Sequence, residues 1–387
     1  MCSLPACLRI PSKRTRMGNV RLMFLGLPPL LLAIAQATSI SRITKPTTST
    51  TGRILWWVCR FRGGLTQKPR QPGIDDWKTV ADWAYVRYQP RSDFYWQVGR
   101  MRVPFFLYSE SINVGYSYPW ISPPFAVYQI PFWSVDGISL NRSLSFHSVD
   151  FEFQLYGGGA RTESVAGATA GVVMENDKQF GVIAQATWQN WTSRIALHQA
   201  SIGFDLGGLR STGSDAGEQL NRLIASLEAA GYHQTARQLE TEDDKSHLAN
   251  LALQYDDGRF LMTAEGSFFT THNETPVSDI KNYYLMAGYR DGNFQYFLTH
   301  SHFNTSPPKI SGELPPDSPF YAAVSAVTRV FRPQPTRAWA AGVRWDFAEK
   351  MAYKFEAIYF PDLRAVHPIE VRDDDVLLVR MGVQTIF

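Results

Sequence analysis

The chain has 387 residues, of which 44% are hydrophobic and 13% aromatic, with a formal net charge of +3. Its mean hydropathy of −0.20 and its one long apolar run, residues 22–35, exclude a helical membrane bundle, because each spanning helix needs roughly 20 apolar residues. The charge is divided: residues 1–74 hold 12 Lys and Arg and no acid, which leaves 26 basic against 35 acidic residues in the rest, and all three cysteines fall within the first 59 positions. A body without cysteine suits an oxidising compartment, where stray thiols are a liability.

In chain order, residues 1–16 carry no functional pattern and read as a non-native leader, with Met17 as an alternative start. Residues 17–37 read as a signal peptide: Arg21 is the basic head, Leu22–Ile34 the apolar stretch and Ala35-Gln36-Ala37 the cleavage site. A buried helix or anchor is the competing reading, and Pro28 and Pro29 count against it. Residues 38–78 are basic and poorly patterned, as a reading-frame error or a misassigned start would leave them. Within them only Gly52–Arg62 has the make-up of a strand.

From residue 79 onward, segments of about ten residues alternate with a period of two, the signature of strands. In Thr336–Phe347, Trp339, Ala341, Val343, Trp345 and Phe347 share one face, and Arg344 and Asp346 the other. Lys350–Phe360, Arg259–Thr270, Phe180–Trp188 and Val149–Tyr156 behave alike. The chain also ends in alternation, VLLVRMGVQTIF, on a bare Phe387. Short connections (Pro90-Arg91-Ser92, His147, Gln189-Asn190, Asp256-Asp257-Gly258, Asp291-Gly292-Asn293, Ala348-Glu349) alternate with long ones (104–135, 158–178, 201–246, 271–279, 304–334, 361–374). The expected fold is all-β: a transmembrane antiparallel up-and-down β-barrel, 79–387, with short inner turns and long outer loops. Thirteen spans are expected after residue 79. Closed bacterial barrels have an even number, so the N-terminal region must add one or three, for 14–16 strands.

Two loops stand out. Residues 104–135 contain five prolines, many aromatics and a single charge, Glu110. That is too apolar for a solvated loop, and infolding into the lumen as a constriction is preferred to packing on a partner. Residues 214–241 place Leu220, Leu223, Ile224 and Leu227 at helical spacing, with Ser214 as N-cap and Gly231 as stop, a helical hairpin in an outer loop.

The run VGRMRVPFFLYSESINVGYSYPW, between the WAYVRY strand and one beginning DGISL, resembles the Gly-Arg-x-x-x-Pro region of Gram-negative outer-membrane porins. The resemblance covers roughly residues 77–387 and implies a homotrimer of 16-stranded barrels with an inward loop. The expected function is a passive diffusion channel for small hydrophilic solutes or ions. Arg100, Arg102, Tyr108 and Glu110 are the expected constriction. Arg87, Arg194, Glu265, Arg290, Arg344, Lys354, Glu356 and Arg380 are expected to line the pore, and Phe387 to act as the barrel-assembly signal. The expected partners are outer-membrane lipid and the assembly machinery, and no nucleic acid. Arg142 breaks an apolar face without explanation. The alternatives are a plugged barrel whose outer loops are structural or adhesive, and a barrel lipid hydrolase. For the last, His198, His300 and His302 lie on strands, but no serine–histidine–acid spacing supports an enzyme, and no metal or cofactor is expected.

Overall fold

A computed structural model describes residues 20–24, 41–43, 47–48, 54–63, 79–129, 133–163, 173–205, 215–240, 244–271, 277–307, 310–330, 335–363 and 374–386. Four strands precede the regular part: β1 (Val20–Phe24), β2 (Ser41–Ile43), β3 (Thr47–Thr48) and β4 (Ile54–Gly63). Then come β5 (Thr79–Arg91), β6 (Phe94–Arg102), β7 (Ser134–Phe146), β8 (Val149–Glu163), β9 (Val173–Trp188), β10 (Trp191–Asp205) and β11 (Asp244–Asp256). The series ends with β12 (Phe260–Thr271), β13 (Ile280–Asp291), β14 (Phe294–Thr305), β15 (Thr336–Ala348), β16 (Met351–Leu363) and β17 (Asp374–Thr385).

From β4 to β17 every strand pairs antiparallel with the next, an unbroken up-and-down meander. The thirteen strands from Thr79 onward are the thirteen spans expected, and β4 adds a fourteenth where Gly52–Arg62 was expected to. β2 and β3 pair antiparallel with β4, and β1 runs parallel to β17. The leader at 1–16, the signal-peptide stretch other than Val20–Phe24, and Phe387 lie outside the described residues.

The two faces of the sheet are inverted relative to a soluble protein. On β11, Asn250 and Ala252 are buried, while Leu251 is 64% and Leu253 45% exposed. On β14, Gln295, Thr299 and Ser301 are buried, and Tyr296 and Leu298 point outward. An apolar outer face with polar groups turned in is the arrangement of a barrel in lipid.

Strands β8 and β9 reach further outward than expected and shorten the loop between them. Gly158 and Gly159, at the start of the expected loop 158–178, lie with Gly157 within β8, where it pairs with β7. There the strands approach so closely that a Cβ on Gly137 would come within 2.0 Å of the Gly157 carbonyl oxygen, and one on Gly158 within 2.3 Å of that of Asp136. The glycines serve this crossing. Arg142 is explained by the turn before β6: its guanidinium meets the Asp93 carboxylate at 3.0 Å.

The outer loops contain α1 (Asp215–Ala229), α2 (His233–Glu240) and α3 (Tyr321–Val330). The first two form the expected hairpin, turned at Gly231 with φ of +87°. The third was not expected, because the prolines of 304–334 obscure it. Leu220, Ile224, Leu227, Ala236 and Leu239 of the hairpin share a core with Leu314 and Val324 of the β14–β15 loop. The Glu313 carboxylate accepts the Gln234 amide (2.8 Å) and the Thr235 amide (3.2 Å) at the start of α2, so one loop caps a helix of the other. Two outer loops thus build one small domain on the rim.

Candidate pore constriction

After β6 the chain turns inward. The loop from Val103 to Trp133 is closed at its neck by the Val103 amide on the Trp133 carbonyl, 3.1 Å. Its apolar side chains pack on the inner wall: Phe105, Phe106, Trp120 and Tyr128 share a core with Ile183, Leu248, Tyr284 and Phe297. Trp120 meets Tyr284 edge-on at 5.5 Å and donates its indole N–H to the Thr299 hydroxyl at 2.8 Å. The loop is infolded, as expected.

An apolar loop brings few polar side chains, so its buried backbone groups need partners from the wall. The wall supplies them, largely from cations. Lys354, 1% exposed, donates from Nζ to the carbonyls of Gly115 (2.6 Å), Tyr118 (2.5 Å) and Trp120 (2.6 Å). Arg344 donates to the Tyr116 carbonyl at 2.6 Å and pairs with Asp346 at 2.8 Å. Arg194 reaches the Pro104 carbonyl and, at 3.3 Å, that of Phe105. Arg380 binds the Ser122 hydroxyl at 2.9 Å and pairs with Glu356 at 2.5 Å. Glu265, 2% exposed, accepts the Leu107 amide (2.7 Å) and the Tyr128 hydroxyl (2.8 Å).

The pore-lining residues expected from alternation therefore do project inward, but Arg194, Glu265, Arg344, Lys354 and Arg380 are engaged with the loop and Glu356 with Arg380. Arg290 pairs with Asp256 near the short-turn end, at 2.5 Å. Arg87 projects inward and lies over the Tyr95 ring at 4.1 Å.

Of the expected constriction, Tyr108 and Glu110 are on the loop. Tyr108 packs edge-on to Trp120 at 5.7 Å and accepts from the Gln254 amide at 2.8 Å. Glu110 is exposed, and the charged groups within its electrostatic reach are Arg194, Arg87 and Glu152. Arg100 and Arg102 do not belong with them. Arg100 is the register partner of Asp136, two residues from the exposed pair Val98 and Ile138, so it stands on the outer face and binds Asp136 at 2.7 and 2.6 Å. Arg102, two residues further along, lies over the Trp83 and Trp133 rings at 5.6 and 5.9 Å. The period-two parity of β6 carries Arg100 to the outer side, and Arg102 is buried at the loop neck, donating to the Trp133 carbonyl at 3.4 Å.

On the wall, Asp150 and Glu152 lie on the inward face of β8, alternating with the outward Phe151, Phe153 and Leu155, and both are exposed. The alternation of Val149–Tyr156 puts both on the polar face, but alternation alone does not separate them from acids that the loop engages.

No protein-family model and no curated protein sequence matches the chain. Solved structures do. Salmonella typhi OmpF in complex with daunomycin aligns with a TM-score of 0.52 at 10% identity, covering 89% of this chain and 88% of that one. The outer-membrane channel DcaP of Acinetobacter baumannii aligns with a TM-score of 0.50 at 8% identity, covering 90% of this chain and 84% of that one. At such identities the likeness is one of fold, and it joins the inverted faces and the infolded loop in a single conclusion: the chain has the porin β-barrel fold of Gram-negative outer membranes.

Proposed function

We propose that the protein is an outer-membrane porin, a passive channel through which small hydrophilic solutes and ions diffuse down their gradients. The observation that supports this most directly is the exposure of Glu110, Asp150 and Glu152 on the inward side. A lumen filled by the loop would have buried them or forced them into pairs. The infolded loop sets the size limit, and the water beside it forms the path. Among the described inward charges outside the loop anchors, their ion pairs and the Arg290–Asp256 pair, three carboxylates stand against Arg87, so the path favours cations. Arg100 and Arg102 take no part in that filter. The barrel is inserted by its C-terminal strand and works as a homotrimer, as the porin resemblance implies.

One observation favours a second reading. The loop core is large and dry, with Trp120 1% and Tyr284 0% exposed, as a plug would be. Liposome swelling separates the two. Vesicles carrying the protein swell in small sugars and progressively less in larger ones if it is a porin. No swelling by any sugar, from protein shown to be inserted, would favour the plugged barrel. A lipid hydrolase receives no comparable support: His198 faces inward, bonded from Nδ1 to the Tyr156 hydroxyl at 2.7 Å.

A further inference from the structure

One aromatic ring stands where the fold gives it no lipid and no core. Among the described residues, the exposed large hydrophobic side chains lie on the outward faces of the strands, with two exceptions. Ile386 follows the end of β17. Phe125 is on the infolded loop and is 70% exposed, while Phe105, Phe106, Tyr118, Trp120 and Tyr128 of the same loop are buried. The backbone puts it there. The Pro124 carbonyl accepts the amides of Val127 (3.1 Å) and Tyr128 (3.2 Å), a turn with Phe125 near its crest. Pro123, Ala126, Val127 and Tyr128 are buried, so the turn presents those residues to its packing partners and Phe125 to the water.

The ring lies inside the barrel. Three residues before it, the Ser122 hydroxyl accepts from the Arg380 guanidinium of β17 at 2.9 Å. Three residues after it, the Tyr128 hydroxyl donates to the Glu265 carboxylate of β12 at 2.8 Å. Both wall residues project inward from the middle of their strands, which are five places apart in the sheet. The segment between them therefore crosses the lumen. The sector of β13 to β16, on one side of the crossing, is filled: Trp120 packs on Tyr284 and bonds Thr299, and Lys354 holds the carbonyls of Tyr118 and Trp120. Phe125 opens on the lumen that remains. Neither lipid nor a neighbouring barrel reaches that space, so the ring meets water and passing solutes.

The chemistry of the ring and the charge of the path select the solute. A phenyl face is negative and attracts cations and apolar bodies, and it has no hydrogen bond to offer a sugar hydroxyl. Glu110, Asp150 and Glu152, exposed on the inward side, add negative charge along the same path. Arg380, the cation bonded to Ser122, is balanced by Glu356 at 2.5 Å. We propose that Phe125 is a binding station for organic ammonium ions, and that the preferred solutes of the channel are amines with an aromatic or other apolar body. This deepens the porin reading and rests on it. The carboxylates draw the amine into the lumen and set how often it arrives. The ring sets how long it stays.

The test uses the full chain in a planar bilayer, with phenethylammonium chloride added to potassium chloride. Wild type should show brief interruptions of the current that become more frequent as the amine is raised. Phe125→Ser should shorten them about five- to ten-fold, and Phe125→Tyr should keep their length. The double variant Glu110→Gln/Glu152→Gln should make them rarer without shortening them. Interruptions of unchanged length in Phe125→Ser, or equal interruption by the uncharged phenethyl alcohol, would overturn the proposal. Interruption by glucose and not by the amine would also overturn it, by making the station one for sugars. The altered side chains are all exposed, and heat-modifiable migration confirms that each variant is folded. A barrel silent in potassium chloride contradicts the porin reading instead. The station is then tested on the folded protein in detergent micelles by saturation-transfer NMR. Loss of transfer to the phenyl protons in Phe125→Ser supports it, and equal transfer in wild type and variant overturns it.

Discussion

Lys354 shows what an inward cation does here. It sits on the wall and holds three carbonyls of a loop more than 230 positions earlier in the chain. Replacing it by methionine keeps the bulk and removes all three donors. A buried acceptor left unsatisfied costs about 1–3 kcal/mol, so Lys354→Met should loosen the loop while the barrel stays folded. The expected result is a larger and noisier single-channel current than wild type. Glu110 is the opposite case, an exposed charge whose loss leaves the loop's anchors intact. Glu110→Gln should leave folding unchanged and shift the reversal potential in a salt gradient toward chloride. No shift would remove Glu110 from the filter. At the β11–β12 turn, the Asp257 carboxylate accepts the amides of Phe260 (2.6 Å) and Arg259 (2.8 Å), which hold its pKa below the usual value. A lowered folded pKa contributes stability at pH above the ordinary carboxylate value of about 4, and that contribution fades as the pH falls through the folded value. Asp257→Ala should therefore lower the unfolding temperature at neutral pH, and the difference from wild type should close in strong acid.

At the scale of elements, strands were legible and loops only in part. Period-two alternation survives in the sequence because lipid and lumen demand opposite chemistry on the two faces. Hence β5 to β17 could be placed, and the hairpin of α1 and α2 was visible from leucine spacing. Helix α3 was not, because its short Ala- and Val-rich stretch lies among prolines. The inward loop announced itself by its missing charges, yet its anchors could not be named: which wall residue meets which carbonyl depends on strands far apart in sequence. Nearness in sequence to the loop does not put Arg100 or Arg102 beside Glu110: strand parity turns Arg100 outward, and Arg102 is buried at the loop neck on the Trp133 carbonyl. The domain formed by the two outer loops was likewise invisible, since its core unites Leu227 with Val324. Its stability is open to test. Leu227 is fully buried, and truncating such a leucine costs about 2–5 kcal/mol. Leu227→Ala should make the β10–β11 loop sensitive to protease while the strands remain protected and heat-modifiable. Equal protease resistance would mean that the two loops do not depend on their shared core.

For the whole molecule, everything turns on which face meets lipid. Leu251 is 64% exposed, near the middle of β11. In a water-soluble sheet, arginine there would be close to neutral. At the midplane of a bilayer it costs roughly 2–4 kcal/mol, so Leu251→Arg should lower the yield of folded protein in lipid vesicles. The central claim is that this lipid-facing barrel encloses a water path beside its inward loop. Single-channel recording of the folded chain in a planar bilayer tests it most directly. The account predicts stable, stepwise, ohmic currents, with a reversal potential in a potassium chloride gradient that favours the cation. A folded, heat-modifiable barrel that inserts and stays silent would contradict it.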